Sequence, residues 1–181
     1  MTSTEDLVVL LHPDGSPAGT APRATVHDER TPLHLAFSCH LLDADGRLLL
    51  TRRALAKRTW PGVWTNSYCG HPRPGEAMED AVRRYGRHEL GVDVTGVELL
   101  LPDFRYRAVD AGGVVENEHC PVFVARVDGP LTPHPDEVAE TAWTAPATAW
   151  AVAHQAPWAL SPWFVDQVAA LGPDFAYPHP Q

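Results

Sequence analysis

The chain has 181 residues, a hydrophobic fraction of 44% and a formal net charge of −9. These values fit one globular domain with a sizeable core and argue against nucleic acid or an anionic membrane surface as general partners. No apolar run approaches the roughly 20 residues of a membrane span. The acidic start, MTSTEDLVVLLHPDG, lacks the basic segment of a secretory signal, and three cysteines give no disulfide framework. A reducing, cytoplasmic setting follows, with the chain expected as a monomer or weak homodimer. All 14 basic residues lie between Arg23 and Arg126. Thirteen of them are arginine, so the single lysine, Lys57, stands out.

Residues 5–11 read as a short strand and HPDGSPAGT as a turn-rich loop. Arg23, His27 and His34 follow. One histidine alone is ordinarily structural or solvated; His71 and two carboxylates further on give this pair company. Residues 33–42 and 48–53 read as two strands joined by the turn at 43–46. Arg52, Arg53, Lys57 and Arg58 come next. They form either a basic strand end or a diphosphate clamp, since arginine offers a bidentate fork and lysine a compact charge.

The stretch 59–92 carries the densest signal. Trp60 to Trp64 is a rigid aromatic entry, and residues 65–71 then deliver a thiol, Cys69, and an imidazole, His71. If that piece is extended, the two side chains share a face. Pro72, Pro74 and Gly75 break the strand. A helix is expected over 77–90 from the spacing of Ala77, Ala81, Val82, Tyr85 and Leu90, with Gly91 as its left-handed stop.

Residues 94–101 read as a strand, and 104–110 with 114–127 as a hairpin around Gly112-Gly113. Glu116 and Glu118 are two apart and share a strand face, which is costly unless they meet water or a cation. Three histidines and two glutamates suit Mn²⁺, Mg²⁺ or Zn²⁺. Cys39 and Cys120 read as core thiols. Residues 140–144 are expected as a strand and 146–154 as a helix. A last helix is expected over 161–171, capped by Ser161 with Pro162 at its first position. The tail from Pro173 reads as loosely packed.

Gly70, Glu76, Arg84, Glu89, Gly91 and Val92 fall where a Nudix box places its fixed positions: G, five residues, E, seven residues, then R-E-U-x-E-E-x-G-U, with U a bulky aliphatic. The segment therefore resembles that box, and the resemblance implies an α/β fold with a mixed sheet held between helices. It implies a core over about 33–165 within a single domain, 1–181. Tyr85, Gly86 and His88 stand where the box has Glu, an aliphatic and Glu. Of the three core carboxylates that bind Mg²⁺ and activate water in a Nudix hydrolase, only Glu89 remains.

The motif WPGVWTNS-x-CGHP before this thinned helix is similar to type I isopentenyl diphosphate isomerases. LHLAFS, RRALAKR, PDFRYRA, ENE-x-CPVF and the closing SPW occur in the same order. By that resemblance the substrate is isopentenyl or dimethylallyl diphosphate. Cys69 and Glu118 handle protons, with Tyr106 hydrogen-bonded beside Glu118. His27, His34, His71, Glu116 and Glu118 hold one ion (Mn²⁺, Zn²⁺ or Mg²⁺). Glu89 and the backbone carbonyl of Cys69 hold a Mg²⁺ that travels with the diphosphate. Arg23, Arg53 and Lys57 would grip the diphosphate, and Arg84 would stand in for an arginine that the family often has at position 85; Trp163, which spacing alone reads as a core anchor of the last helix, would by the resemblance face the substrate. Two other readings keep the same scaffold: a pyrophosphohydrolase of nucleoside diphosphate derivatives, and a metal-dependent binding module without turnover.

Overall fold

Side-chain alternation along a few central strands decides the architecture. In the computed structural model, which describes residues 7–178, twelve strands and three α-helices follow one another. The first seven strands are β1 (Leu7–Leu11), β2 (Pro17–Pro22), β3 (His34–Leu35), β4 (Phe37–Leu42), β5 (Leu48–Arg53), β6 (Trp64–Thr65) and β7 (Tyr68–Gly70). Helix α1 (Met78–Tyr85) precedes β8 (Thr95–Leu101), β9 (Arg105–Val109), β10 (Val115–His119), β11 (Val122–Arg126) and β12 (Val138–Thr144). Helices α2 (Pro146–Gln155) and α3 (Pro162–Leu171) close the chain.

The strands form two sheets. One has the order β2-β1-β3-β10-β9; the other has β12-β5-β4-β11-β8, with β6 paired to β5 and β7 to β4. In the second sheet successive side chains enter different cores. Phe37, Cys39, Leu41, Leu49 and Phe123 pack with Ala81, Val82 and Tyr85 of α1. Leu42, Leu48, Leu50 and Val124 pack with Ala149 of α2 and Trp163, Phe164 and Val168 of α3. A sheet covered on both faces needs strands that are apolar at almost every position, which is why LLL and VFVA carry no polar alternation.

Several elements differ from the sequence expectation. Residues 17–22 form β2 against β1, although the Pro/Gly-rich stretch reads as loop; as an edge strand it tolerates proline. The expected strand over 33–42 breaks into β3 and β4, and the expected hairpin arm over 114–127 breaks into β10 and β11. Pro121 has no backbone N–H, so it cannot continue a ladder. Both breaks leave one half in each sheet: β10 runs parallel to β3 and β11 parallel to β4. The helix is α-helical only to Tyr85; residues Gly86–Leu90 form a turn of π-helix that ends at Gly91, φ +66°. A Cβ on Gly91 would stand 1.9 Å from Thr132 Oγ1. Ser161 caps α3 as expected, accepting from the Phe164 N–H.

The tail is not loose as far as it is described. Trp150 donates to the Gly172 carbonyl at 3.1 Å, Phe175 stacks on Trp150, and Tyr177 reaches His40 of β4. No helix among the described residues is long and apolar enough to cross a membrane.

His40 is fully buried between β4 and α3, and burial pushes its pKa down to about 4 from 6.5, against the pull of its bond to Gln167. A depressed histidine pKa means that the unfolded chain binds the extra proton between those two values. Stability from neutral His40 is therefore complete above the unfolded pKa and is lost as pH falls toward 4, about 3 kcal/mol in all. Replacing His40 by Gln should lower stability at neutral pH. The gap to wild type should then shrink by about 2 kcal/mol between roughly pH 7.5 and pH 5, read from urea midpoints. A gap that does not change with pH would show that His40 takes up no proton on unfolding.

Candidate active site

One rung of the first sheet supplies the centre of the site. Glu118 on β10 is in register with His34 on β3 and with Tyr106 on β9, so three functional side chains stand side by side across three strands. Glu116, two residues earlier on β10, shares their face. His71 follows β7, which is tied to β4 in the other sheet, and His27 comes from the segment between β2 and β3. The break between β3 and β4 is what allows groups from both sheets to meet.

Glu118 Oε1 lies 3.3 Å from His71 Nε2, 3.4 Å from His34 Nε2 and 3.8 Å from His27 Nε2. One ligand atom from each of these four residues lies within 4.8 Å of the others. Hydrogen-bond chemistry fits a cation there. His34 Nδ1 donates to the Pro32 carbonyl at 2.9 Å, which leaves its Nε2 as a lone pair. That lone pair faces His71 Nε2 at 3.2 Å. His27 Nε2 is buried with no hydrogen-bond partner. Burial alone would raise Glu118, but the three imidazoles of His27, His34 and His71 around it hold it well below the usual carboxylate range. Burial pushes His71 down, opposed by Glu118.

Glu116 stands just outside this group of four. Its Oε2 lies 2.5 Å from the Tyr106 hydroxyl, which is also 2.9 Å from Glu118 Oε2. The phenol lies beside Glu118 as the resemblance implies, with Glu116 as a second acceptor for its one hydrogen.

A cavity of about 310 Å³ adjoins this cluster, and its lining brings Cys69, Tyr106, Glu116, Glu118 and Trp163 together with Arg23, Arg53, Lys57, Arg58, Tyr85 and Glu89. Cys69 Sγ is 3.3 Å from Ser38 Oγ and 3.3 Å from Asn66 Nδ2. Burial pushes its thiol up to about 12, against the pull of Ser38 and Asn66, so it stands as a neutral S–H. Trp163 is 1% exposed, donates to Asn66 Oδ1 at 2.9 Å and lies edge-on to Trp60.

The basic residues divide by partner. Arg53 is held by the Thr59 carbonyl through Nε and Nη2, with its guanidinium 5.5 Å from the Trp163 ring. Lys57 pairs with Glu137 and lies 3.9 Å from Glu89. Burial raises Glu89 to about 7, with Lys57 opposing and Glu137 adding to the shift. Arg52 turns away to Glu140 and the Gly62 carbonyl.

Arg84, expected at the diphosphate, is paired elsewhere in this structure. It does not line the cavity; both its Nε and Nη2 bind Glu76, and Nη2 also donates to the His71 carbonyl at 3.1 Å. The pair fixes the loop that carries His71 instead of meeting a ligand. Tyr85 lies under Gly70, where a Cβ would stand 2.5 Å from the tyrosine ring. Only glycine lets the chain that bears Cys69 approach so closely.

Sequence reasoning missed Glu137 and Asn66. Asn66 sits inside the WTNS motif but its spacing implies nothing. Glu137 lies in an acidic flank with no pattern of its own, and its pairing with the single lysine is what identifies it.

A match to the NUDIX domain family covers residues 32–164. The chain is 56% identical over 176 residues to the isopentenyl-diphosphate Delta-isomerase of Clavibacter michiganensis subsp. michiganensis, covering 97% of this chain and 91% of that relative. It is 58% identical over 170 residues to the protein of the same name from Mycolicibacterium vanbaalenii, covering 94% and 93%. Among solved structures, DR0079 from Deinococcus radiodurans superposes with a TM-score of 0.68 at 20% identity, covering 91% of this chain and 98% of that one. A MutT protein from Methanosarcina mazei superposes with a TM-score of 0.59 at 18% identity, covering 77% and 92%. At these identities the structural matches speak for the fold.

The cluster generates a test that needs no turnover. Glu118→Gln should weaken Mn²⁺ or Zn²⁺ binding by about 10–100-fold in calorimetric titration, and Glu116→Gln by about 10-fold. Metal content that survives dialysis unchanged in Glu116→Gln would confine the ligands to the three histidines and Glu118.

Proposed function

Because the chain belongs to the isopentenyl-diphosphate Delta-isomerase family, built on the NUDIX domain, we propose that it interconverts isopentenyl and dimethylallyl diphosphate by adding a proton at C4 and removing one from C2. The observation that carries this reading is a single cavity whose lining joins Arg23, Arg53, Lys57 and Arg58 with a neutral thiol, a buried carboxylate and an indole.

Arg53 and Lys57, with Arg23 and Arg58 in the same cavity lining, suit a diphosphate: forks for its oxygens and a point charge. Lys57 is held by Glu137 and Glu89, and a diphosphate would compete with them for its ammonium. Glu89 and the Cys69 backbone carbonyl would hold a Mg²⁺ with the substrate. His27, His34, His71, Glu116 and Glu118 would hold a second ion (Mn²⁺, Zn²⁺ or Mg²⁺). These cations supply positive charge, which steadies the diphosphate and lowers the proton affinity of the carboxylate.

An unactivated alkene is a poor base, and its protonation gives a tertiary cation that water would capture. The buried end of the cavity answers both problems. Cys69 and Glu118 are the proton-handling groups, and Tyr106 shares its hydroxyl between Glu116 and Glu118 to hold the second of them in place. Trp163 offers a π system to the cation, worth roughly 0.5–2 kcal/mol. Hydrolase chemistry would need carboxylates where Tyr85 packs under Gly70 and where His88 stacks on His134. Three free thiols, Cys39, Cys69 and Cys120, accord with a reducing cytoplasm.

An NMR time course with isopentenyl diphosphate in heavy water, with Mg²⁺ and Mn²⁺ present, should show dimethylallyl diphosphate carrying deuterium in its methyl groups. Cys69→Ala should cut that turnover by about 10²–10⁴-fold while leaving the circular dichroism spectrum and melting transition in place. Unchanged substrate with metal bound would sink the isomerase reading, and normal turnover in Cys69→Ala would remove the thiol from the mechanism.

A further inference from the structure

We infer that Tyr177 and His40, neither of which lines the cavity, are positioning residues for the Cys69 thiol, acting through a one-way chain of hydrogen bonds that ends at its sulfur. The inference rests on the proposed role of Cys69 in proton handling.

Four contacts make the chain. The Tyr177 hydroxyl meets His40 Nδ1 at 2.6 Å, and His40 Nε2 meets Gln167 Oε1 at 2.9 Å. Gln167 Nε2 donates to Ser38 Oγ at 2.8 Å, and Ser38 Oγ lies 3.3 Å from Cys69 Sγ and 3.4 Å from Cys120 Sγ. Ser38, His40 and Gln167 are each 0% exposed, so water cannot replace a missing link, and each unmade bond would leave a buried polar group unpaired.

The amide of Gln167 sets the direction. Its oxygen can only accept and its nitrogen can only donate. His40, kept neutral by burial, has one N–H, which must sit on Nε2 to reach that oxygen. Nδ1 is then a lone pair and takes the tyrosine O–H. Ser38 receives the amide N–H on its oxygen, and its own hydrogen is left for the two sulfurs. The chain therefore runs from Tyr177 to Cys69 with every donor facing the same way.

A carboxamide does not pass a proton along in its ordinary tautomer. What the chain transmits is orientation and polarisation. When Ser38 gives its one hydrogen to Cys69 rather than to Cys120, the thiol's own hydrogen is directed elsewhere; Asn66 Oδ1, at 3.4 Å, is the acceptor in place before a substrate arrives. The segment after α3 thus sets the geometry of a group 108 positions away in sequence, the difference between 177 and 69.

Tyr177→Phe removes only the terminal hydroxyl and keeps the ring packed against Trp150 and Phe175. It should shift the Cys69 S–H stretching band in the infrared, assigned by its disappearance in Cys69→Ala. It should also lower kcat by about 3- to 10-fold with KM for isopentenyl diphosphate unchanged within about twofold. Ser38→Ala should do the same, and the double variant should lose no more than either single one. Phe175→Leu loosens the same tail but keeps the hydroxyl, and should leave the band in place. A band that does not move in Tyr177→Phe, or a kcat equal to wild type, overturns the inference. A chain that fails to isomerise in every form overturns instead the reading of the reaction, which the infrared band does not depend on.

Discussion

The site depends on two strand breaks that lie next to each other. After Leu35 and again after His119 the chain leaves one sheet and enters the other, and the two crossings run parallel. The Ala36 N–H donates to the His119 carbonyl at 2.9 Å and the Ser38 N–H to the Pro121 carbonyl at 3.0 Å, so neither crossing leaves its backbone unpaired. Pro121 enforces one break, and the other must follow because the strands are partners. The consequence is functional. His34 and Glu118 stand on one side of the crossing, Ser38 and Cys120 on the other, and Cys69 is aligned with Ser38 across β4 and β7. Metal-type ligands from one sheet and the thiol from the other meet because a single continuous sheet was prevented.

Charge balance accounts for much of the rest. Glu118 is buried, yet three imidazoles converge on it, so its ionised form is favoured although burial opposes it. Glu116 shares a phenolic hydroxyl with it and avoids direct repulsion between neighbouring carboxylates. At the other end Lys57 serves the same purpose for Glu89 and Glu137. Each anionic cluster thus has its own cationic or proton-donating partner, and the two do not neutralise one another across the cavity.

The sequence made much of this legible, for identifiable reasons. Strand periodicity brought Glu116 and Glu118 to one face, and the two-residue step from Cys69 to His71 led into one cavity even though the strand ends at Gly70. Capping chemistry placed α3 through Ser161 and Pro162. What stayed hidden was long-range or concerned backbone detail. Nothing local distinguishes Arg53 from Arg52, yet one lines the cavity and the other binds Glu140. The π turn at 86–90 leaves no mark on helical spacing, and Arg84 was expected as a stand-in for an arginine at position 85, while its place is set by Glu76, eight residues earlier. The tail read as loose because it is short and proline-rich. Its aromatic residues are fixed by a partner, His40, that lies 137 positions from Tyr177, beyond the reach of any pattern of spacing.

The thinned Nudix helix also has a physical logic. A hydrolase concentrates carboxylates beside the phosphate so that several cations can activate water. Here the ring of Tyr85 occupies one such position and seals the underside of Gly70. His88 occupies another and sits 3.5 Å from Glu137 at the protein surface. On the proposed reading, Glu89, the one box carboxylate retained in the cavity, would with Arg53 and Lys57 grip a diphosphate rather than attack it. The retained glycine follows from the same change: once a large ring fills the space below the strand, only hydrogen at position 70 allows Cys69 and His71 to keep their separate places.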